Sequence, residues 1–145
     1  MDSDGRVLLV RFQFADGELW AAPGGGIEPE ESHESAIRRE LREEVGIDGC
    51  EIGPAVWKRV HVFPLSSDFG GQRETFYIVR IEASPGTPGF SKEKLRAEGL
   101  TGSRWWTLAE LKGAASVRFA PARLPELYEA ILRDGAPAEV IDTGI

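Results

Sequence analysis

A chain of 145 residues suits one domain and hardly two. Apolar residues make up 41 %, with 17 glycines besides, enough to bury a core and to argue against disorder. The balance of 17 Lys and Arg against 24 Asp and Glu gives a net charge of −7, a poor match for a nucleic-acid polymer. Nucleotides stay open as substrates, because bound metal ions screen a small phosphate from carboxylates. No apolar run nears the roughly 18 residues that cross a bilayer, so no membrane association is expected. Met1-Asp2-Ser3-Asp4 is too acidic and polar for a secretion signal. Cys50 is alone, which rules out an internal disulfide and a zinc cluster and makes a reducing cytoplasm the expected location.

In chain order, Arg6–Phe14 is apolar and β-branched enough for a strand. Asp16-Gly17 reads as a turn, and Leu19–Ala22 as a short second strand. Pro23-Gly24-Gly25-Gly26 interrupts regular structure and predicts a loop. Ser32 to Val45 has helical spacing, with Ile37, Leu41 and Val45 on one stripe and Gly46 at the left-handed stop position. Val56–Phe63 and Glu74–Ile81 read as longer strands, joined by a loop over Pro64–Gln72. Ser84–Gly102 is rich in Pro, Gly and Lys and is expected to be a long excursion beside a functional surface. Ser103–Trp106 predicts a strand, and Thr107-Leu108-Ala109-Glu110 has the spacing of a capping box that opens a short helix. Leu124, Leu127, Tyr128, Ile131 and Leu132 mark an amphipathic helix ending at Gly135. The mixture predicts one layered α+β or α/β domain over residues 1–145.

Chemistry concentrates between Gly25 and Ile47. Glu40, Glu43 and Glu44 stand at i, i+3 and i+4, so their carboxylates fall on one arc of the helix. Such an arc is self-repelling unless a cation lies between its members, and hard divalent cations favour oxygen-rich sites. The three glutamates alone are read more plainly as a solvated helix face, with Glu34 and Arg38 an i,i+4 pair. The glycine run upstream lets backbone approach a ligand closely.

The whole segment resembles the Nudix box, G-x5-E-x7-R-E-U-x-E-E-x-G-U, where U is a bulky aliphatic residue. Gly25, Glu31, Arg39, Glu40, Leu41, Glu43, Glu44, Gly46 and Ile47 match every specified position. Looser similarity runs from Arg6–Phe14 to the segment Arg104–Leu111. The resemblance implies an α+β Nudix fold, a mixed and curved sheet sandwiched between helices. It implies metal-dependent hydrolysis of a phosphoanhydride in a nucleoside diphosphate linked to another group, with a role in the nucleotide pool. Mg²⁺ or Mn²⁺ is the implied cofactor. Glu40, Glu43 and Glu44 become metal ligands, the Gly24 carbonyl a further one, and Glu31 with Arg39 an ion pair that orients the helix against the loop.

For the general base, the resemblance points to a box glutamate such as Glu40 or to a later loop. Glu98 is the first loop candidate and Glu74 the second, each otherwise an ordinary exposed acid. Arg11 is a candidate phosphate contact, and Gly25 a candidate backbone contact to substrate. Trp20, Phe14 and Trp105 are candidate faces for stacking on a base. Trp57, Trp106 and Phe76 are expected in the core. His33 is expected at the helix surface and His61 on a strand surface.

The chain also departs from the branches of the family. Gly26 stands where the oxidised-guanine branch carries Lys. Pro64 lies slightly late for the ADP-sugar branch, and Phe63 and Pro64 replace the tyrosine of the diadenosine branch. The chain begins close to Arg6–Phe14, where the family generally has a preceding strand. That predicts either a sheet one strand short or an edge covered by another segment or a second copy, hence a possible homodimer. The alternatives to an enzyme are a Nudix-fold module that senses a nucleotide without cleaving it, and an acidic helical interaction protein. The first typically loses box glutamates, and the second leaves the glycines at both ends of the box unexplained.

Overall fold

The computed structural model describes residues 1–62, 71–82 and 88–144. Strand β1 (Val7–Phe14) turns at Gly17, whose φ of 131° needs a glycine, into β2 (Gly17–Ala21). Helix α1 (His33–Val45) starts at Ser32, whose side chain accepts from Ser35 N–H, and stops at Gly46 with φ 67°. Two long antiparallel strands follow, β3 (Glu51–Val62) and β4 (Gly71–Arg80). β3 begins five residues before its expected start. The stretch around Gly53 and Pro54 joins the strand through two register shifts, which accommodate a proline that cannot donate to the ladder.

Inside the expected excursion lies a short helix, α2 (Lys92–Ala97), and strand β5 (Leu100–Trp106) starts earlier than its apolar run suggested. The capping box is present: Thr107 and Glu110 bond reciprocally at the start of α3 (Leu108–Gly113). Strand β6 (Arg118–Ala120), helix α4 (Leu124–Asp134) and strand β7 (Ile141–Asp142) complete the order. Residues 63–70, which hold Phe63, Pro64 and most of the expected loop, lie outside the described residues, as does the side chain of His61.

The described strands form two sheets: a mixed four-stranded one, β5-β1-β2-β6, and a three-stranded one, β4-β3-β7. Alternation along β1 sorts its side chains. Leu8 and Val10 pack with Leu41, Val45 and Ile47 around α1. Leu9 faces the other way, into Trp20, Trp106, Leu111, Leu124 and Tyr128 under α3 and α4. Helix α4 also covers the second sheet, where Leu127 and Ile131 meet Val56, Trp57 and Ile78. The four-stranded sheet is thus sandwiched between helices.

β1 is an inner strand, flanked by β2 and β5, so it leaves no edge of its own for a second copy to cover. Met1 lies instead against β4, its carbonyl accepting from Ile81 N–H at 2.9 Å. No described helix is long and apolar enough to cross a membrane.

Candidate active site

Helix α1 presents its acids on two levels. Glu44 stands three residues after Leu41 and seven after Ile37, which puts it on the stripe that packs against the sheet. It is 7 % exposed, the only polar or charged side chain among the buried described residues. Its Oε1 accepts from Gly24 N–H at 3.3 Å, while Oε2 is buried with no donor in reach. Glu40 lies beside it, so two carboxyls share one poorly hydrated place. Burial, and then the neighbouring Glu40, push the Glu44 carboxyl from its ordinary 4.5 up to about 9 in the metal-free protein.

Arg39 organises the rest. It takes Glu31 in a two-pronged grip, Nε to Oε2 at 2.8 Å and Nη2 to Oε1 at 2.9 Å. Nη1 donates to Glu40 Oε1 at 2.9 Å and to Glu43 Oε2 at 3.2 Å, and Nη2 also reaches the Gly26 carbonyl at 2.8 Å. One guanidinium therefore ties the glycine loop to the acidic helix. These hydrogen bonds hold the Glu31 carboxyl down near 2 and raise Arg39 above its ordinary range. Gly25 leaves the Glu40 carboxylate its place: a Cβ there would stand 2.4 Å from Glu40 Oε1, and that side-chain end would have to shift.

Above these groups opens a cleft of about 550 Å³. Its acidic floor is Glu40, Glu43 and Glu44, beside Gly24–Gly26 and Arg39. Phe90, Lys94 and Glu98 from the excursion form the facing wall. That wall is docked onto the end of α1 by main-chain bonds, Gly89 N–H to Arg42 O at 2.9 Å and Phe90 N–H to Glu43 O at 3.2 Å. Glu98 caps the end of α2, and its charge adds to the upward pressure on Glu44.

Two substrate-contact candidates do not reach the cleft. Arg11 shares the Leu9 and Trp20 face of β1, where Nε bonds Thr101 Oγ1 at 2.9 Å and the guanidinium lies 5.9 Å from the Trp20 ring centre. Trp20 itself is 8 % exposed and meets Trp106 edge-on in the core. Adjacent strand residues point to opposite faces, and the neighbour of Arg11, Phe12, is the β1 side chain that lines the cleft. Phe14 is exposed and stacks on Phe12 at 6.0 Å. Trp105 is half-buried against the α1 core, with Arg6 5.8 Å from its ring centre. Glu74 is paired with Arg59 at 2.5 Å on the β3–β4 ladder and does not line the cleft. Trp57 and Trp106 are buried, and Phe76 packs on Trp57. His33 sits at the first turn of α1, its Nδ1 2.7 Å from the Tyr77 hydroxyl.

Phe12, Phe90 and Lys94 went unread in the sequence. A signal existed for the last two: Ser91 is a good N-cap, and Lys92–Ala97 is a run of helix formers.

The donor set suits a hard divalent cation. All its side-chain groups are carboxylate oxygens, and one of them is a buried oxygen without a donor. As they stand, no three His, Cys, Asp or Glu side chains among the described residues are gathered to hold a metal ion. Arg39 holds Glu43 and one oxygen of Glu40, which leaves the Glu40–Glu44 pair as the open part of the set.

An acidic helix, a glycine loop pinned to it and a helix-sandwiched sheet define a class of protein, and comparison agrees. The family model for the NUDIX domain matches residues 1–128, and the chain belongs to this family of hydrolases. The nucleoside triphosphatase NudI of Klebsiella pneumoniae (strain 342) is 34 % identical over 89 residues, 56 % of this chain and 60 % of that protein. The CTP pyrophosphohydrolase of Escherichia coli (strain K12) is 44 % identical over 50 residues, 33 % of this chain and 37 % of that protein. The chain thus spans 60 % or less of the length of these two relatives. Among solved structures, the E. coli ORF135 protein is 30 % identical with a TM-score of 0.56, covering 95 % of this chain and 89 % of that one. A NUDIX-family hydrolase from Clostridium perfringens shares the fold at 19 % identity and a TM-score of 0.58, covering 90 % and 92 %.

Proposed function

We propose that this chain hydrolyses a phosphoanhydride bond of a nucleoside diphosphate derivative, and that its substrate is a nucleoside triphosphate. The observation that carries the reading is Glu44: an acid buried on the packing face of α1, with one oxygen unpartnered and Glu40 beside it, under an open polar cleft. Burying a carboxylate without a partner is costly, and a cation beside it relieves the cost. Relatives named as a nucleoside triphosphatase and a CTP pyrophosphohydrolase support the substrate class.

Glu40, Glu43 and Glu44, with the Gly24 carbonyl, would hold Mg²⁺ or Mn²⁺. A divalent cation there offsets charge on the phosphate oxygens and lowers the pKa of water. The chain's own residues do the rest. Arg39 fixes Glu40 and Glu43 relative to the glycine loop. The loop exposes backbone beside the phosphates. Glu98, on the opposite wall, is our candidate to take the proton of the attacking water. The water oxygen bonds to phosphorus as the anhydride P–O bond breaks, giving a nucleotide and a phosphate or pyrophosphate.

A panel of CTP, the other nucleoside and deoxynucleoside triphosphates, ADP-ribose, nucleotide sugars and dinucleoside polyphosphates, each with Mg²⁺ and Mn²⁺, tests the proposal. Turnover of triphosphates only with metal is expected, and release of pyrophosphate against phosphate shows which bond is cut. Binding of triphosphates without turnover of any compound would instead identify a sensing module.

A further inference from the structure

A cleft that takes a polyphosphate needs cations to meet it beyond those its carboxylates hold. Among the described residues, two cationic side chains line this one, Arg39 and Lys94. Arg39 has nothing left to give. A guanidinium has five N–H groups. Here one from Nε goes to Glu31, two from Nη1 go to Glu40 and Glu43, and two from Nη2 go to Gly26 and Glu31. Contacting a phosphate would mean dismantling the grip that holds the acidic helix to its loop.

Lys94 is in the opposite condition. Phe90, Lys94 and Glu98 are spaced by four residues and line the same wall. Among the described residues no carboxylate pairs with Lys94 within 4.0 Å, although the cleft holds several. Its ammonium rests instead over the Phe90 ring, 3.9 Å from the centre. That contact keeps a charged group poised at the cleft without using its three N–H donors on a fixed partner. The ring that holds it is itself anchored, since Phe90 N–H bonds Glu43 O.

Resting on the function proposed above, we propose that Lys94 is a substrate-binding residue that takes the phosphate oxygens facing away from the Glu40–Glu44 floor. It contributes binding shared by substrate and transition state, so its loss acts mainly on KM.

The test compares Lys94→Ala, Lys94→Arg and Lys92→Ala, the last an exposed lysine of the same helix that does not line the cleft. With CTP and Mg²⁺, Lys94→Ala should raise KM about tenfold, the size of one charge-assisted hydrogen bond, with kcat within about threefold of wild type. Lys94→Arg should recover most of the loss, and Lys92→Ala should match wild type. A KM for Lys94→Ala within about twofold of wild type, or an equal effect from Lys92→Ala, overturns the assignment and leaves the activity standing. If wild type turns over no nucleotide, the proposed function fails, and Lys94 is judged by calorimetry with inorganic tripolyphosphate and Mg²⁺. A roughly tenfold weaker Kd in Lys94→Ala supports it. Equal affinity, or no binding to wild type, overturns it.

Discussion

Of the three consecutive glycines at the mouth of the cleft, only the middle one has no room for a side chain. A Cβ on Gly25 would lie 2.4 Å from Glu40 Oε1, 2.8 Å from its Cδ and 3.1 Å from Oε2. Ordinary contact begins near 3.4 Å, so in Gly25→Ala the Glu40 carboxylate must retreat by about 1 Å. It can do so because it is the end of a flexible side chain. It cannot do so and keep both its 2.9 Å bond from Arg39 Nη1 and its place beside Glu44. Misplacing a catalytic group by about 1 Å costs on the order of a hundredfold in rate. Moving a side-chain end costs about 1 kcal/mol of stability, hence about 4 °C in Tm at most. Gly25→Ala should therefore lose about a hundredfold in kcat/KM with a Tm within about 4 °C of wild type. Gly26→Ala, where a Cβ meets nothing within 4 Å, should stay within about threefold of wild type. On the Gly25→Ala background, Glu40→Gln should add little further loss, because both changes strike one carboxylate. Equal damage from both alanines would place the effect in loop flexibility and refute the steric reasoning. So would near-wild-type activity in Gly25→Ala.

Millimolar Mg²⁺ is expected to raise the Tm of wild type by binding the folded state; Glu44→Gln should abolish that rise and lower turnover by a hundredfold or more. Stability of the metal-free protein should fall as pH rises. The Glu44 carboxyl lies near 9 when folded against 4.5 in the ordinary state, so the folded chain keeps a proton that the unfolded chain releases. Its contribution is complete below pH 4.5 and is lost between there and about 9, at no more than about 1.4 kcal/mol per pH unit. Urea midpoints at pH 5, 7 and 9 should show the decline, and Mg²⁺ should flatten it. Glu98→Gln should lower kcat far more than it raises KM, with Glu93→Gln as a silent control; an unchanged kcat would return the role of base to Glu40, since Glu74 does not line the cleft.

The acidic helix was the legible part of the site because its information is local. N-cap Ser32, the stop at Gly46 and the arc of Glu40, Glu43 and Glu44 all lie within a few turns of one another. Even the burial of Glu44 follows from its place three residues after Leu41. β1 shows the limit of the same reasoning. The segment reads as a strand, yet which half of its side chains faces the acidic helix depends on partners elsewhere in the chain. A step of one residue exchanges Arg11 for Phe12, and with it the expected phosphate contact for an aromatic wall. Strands β6 and β7, of three and two residues, carry too little pattern to be seen; parallel pairing with β2 and β3 defines them.

The excursion expected over Ser84–Gly102 holds helix α2 and the start of β5, and its placement lies in the backbone, which no motif records. Helix α1 ends with carbonyls that have no acceptor duty inside the helix. Gly46 donates to one of them, that of Arg42, and Ile47 reaches one turn further back to Leu41 O. Gly89 then donates to Arg42 O as well, and Phe90 to Glu43 O. A Cβ on Gly89 would stand 3.4 Å from Arg42 O, at the edge of ordinary contact, so the two N–H bonds rather than the lack of a side chain set the approach. The turn of helix that carries Glu43 and Glu44 therefore also fixes the segment that carries Phe90, Lys94 and Glu98. Acids and facing wall are positioned as one unit. Peptide groups make those bonds, so the docking of the wall does not depend on which side chains it carries.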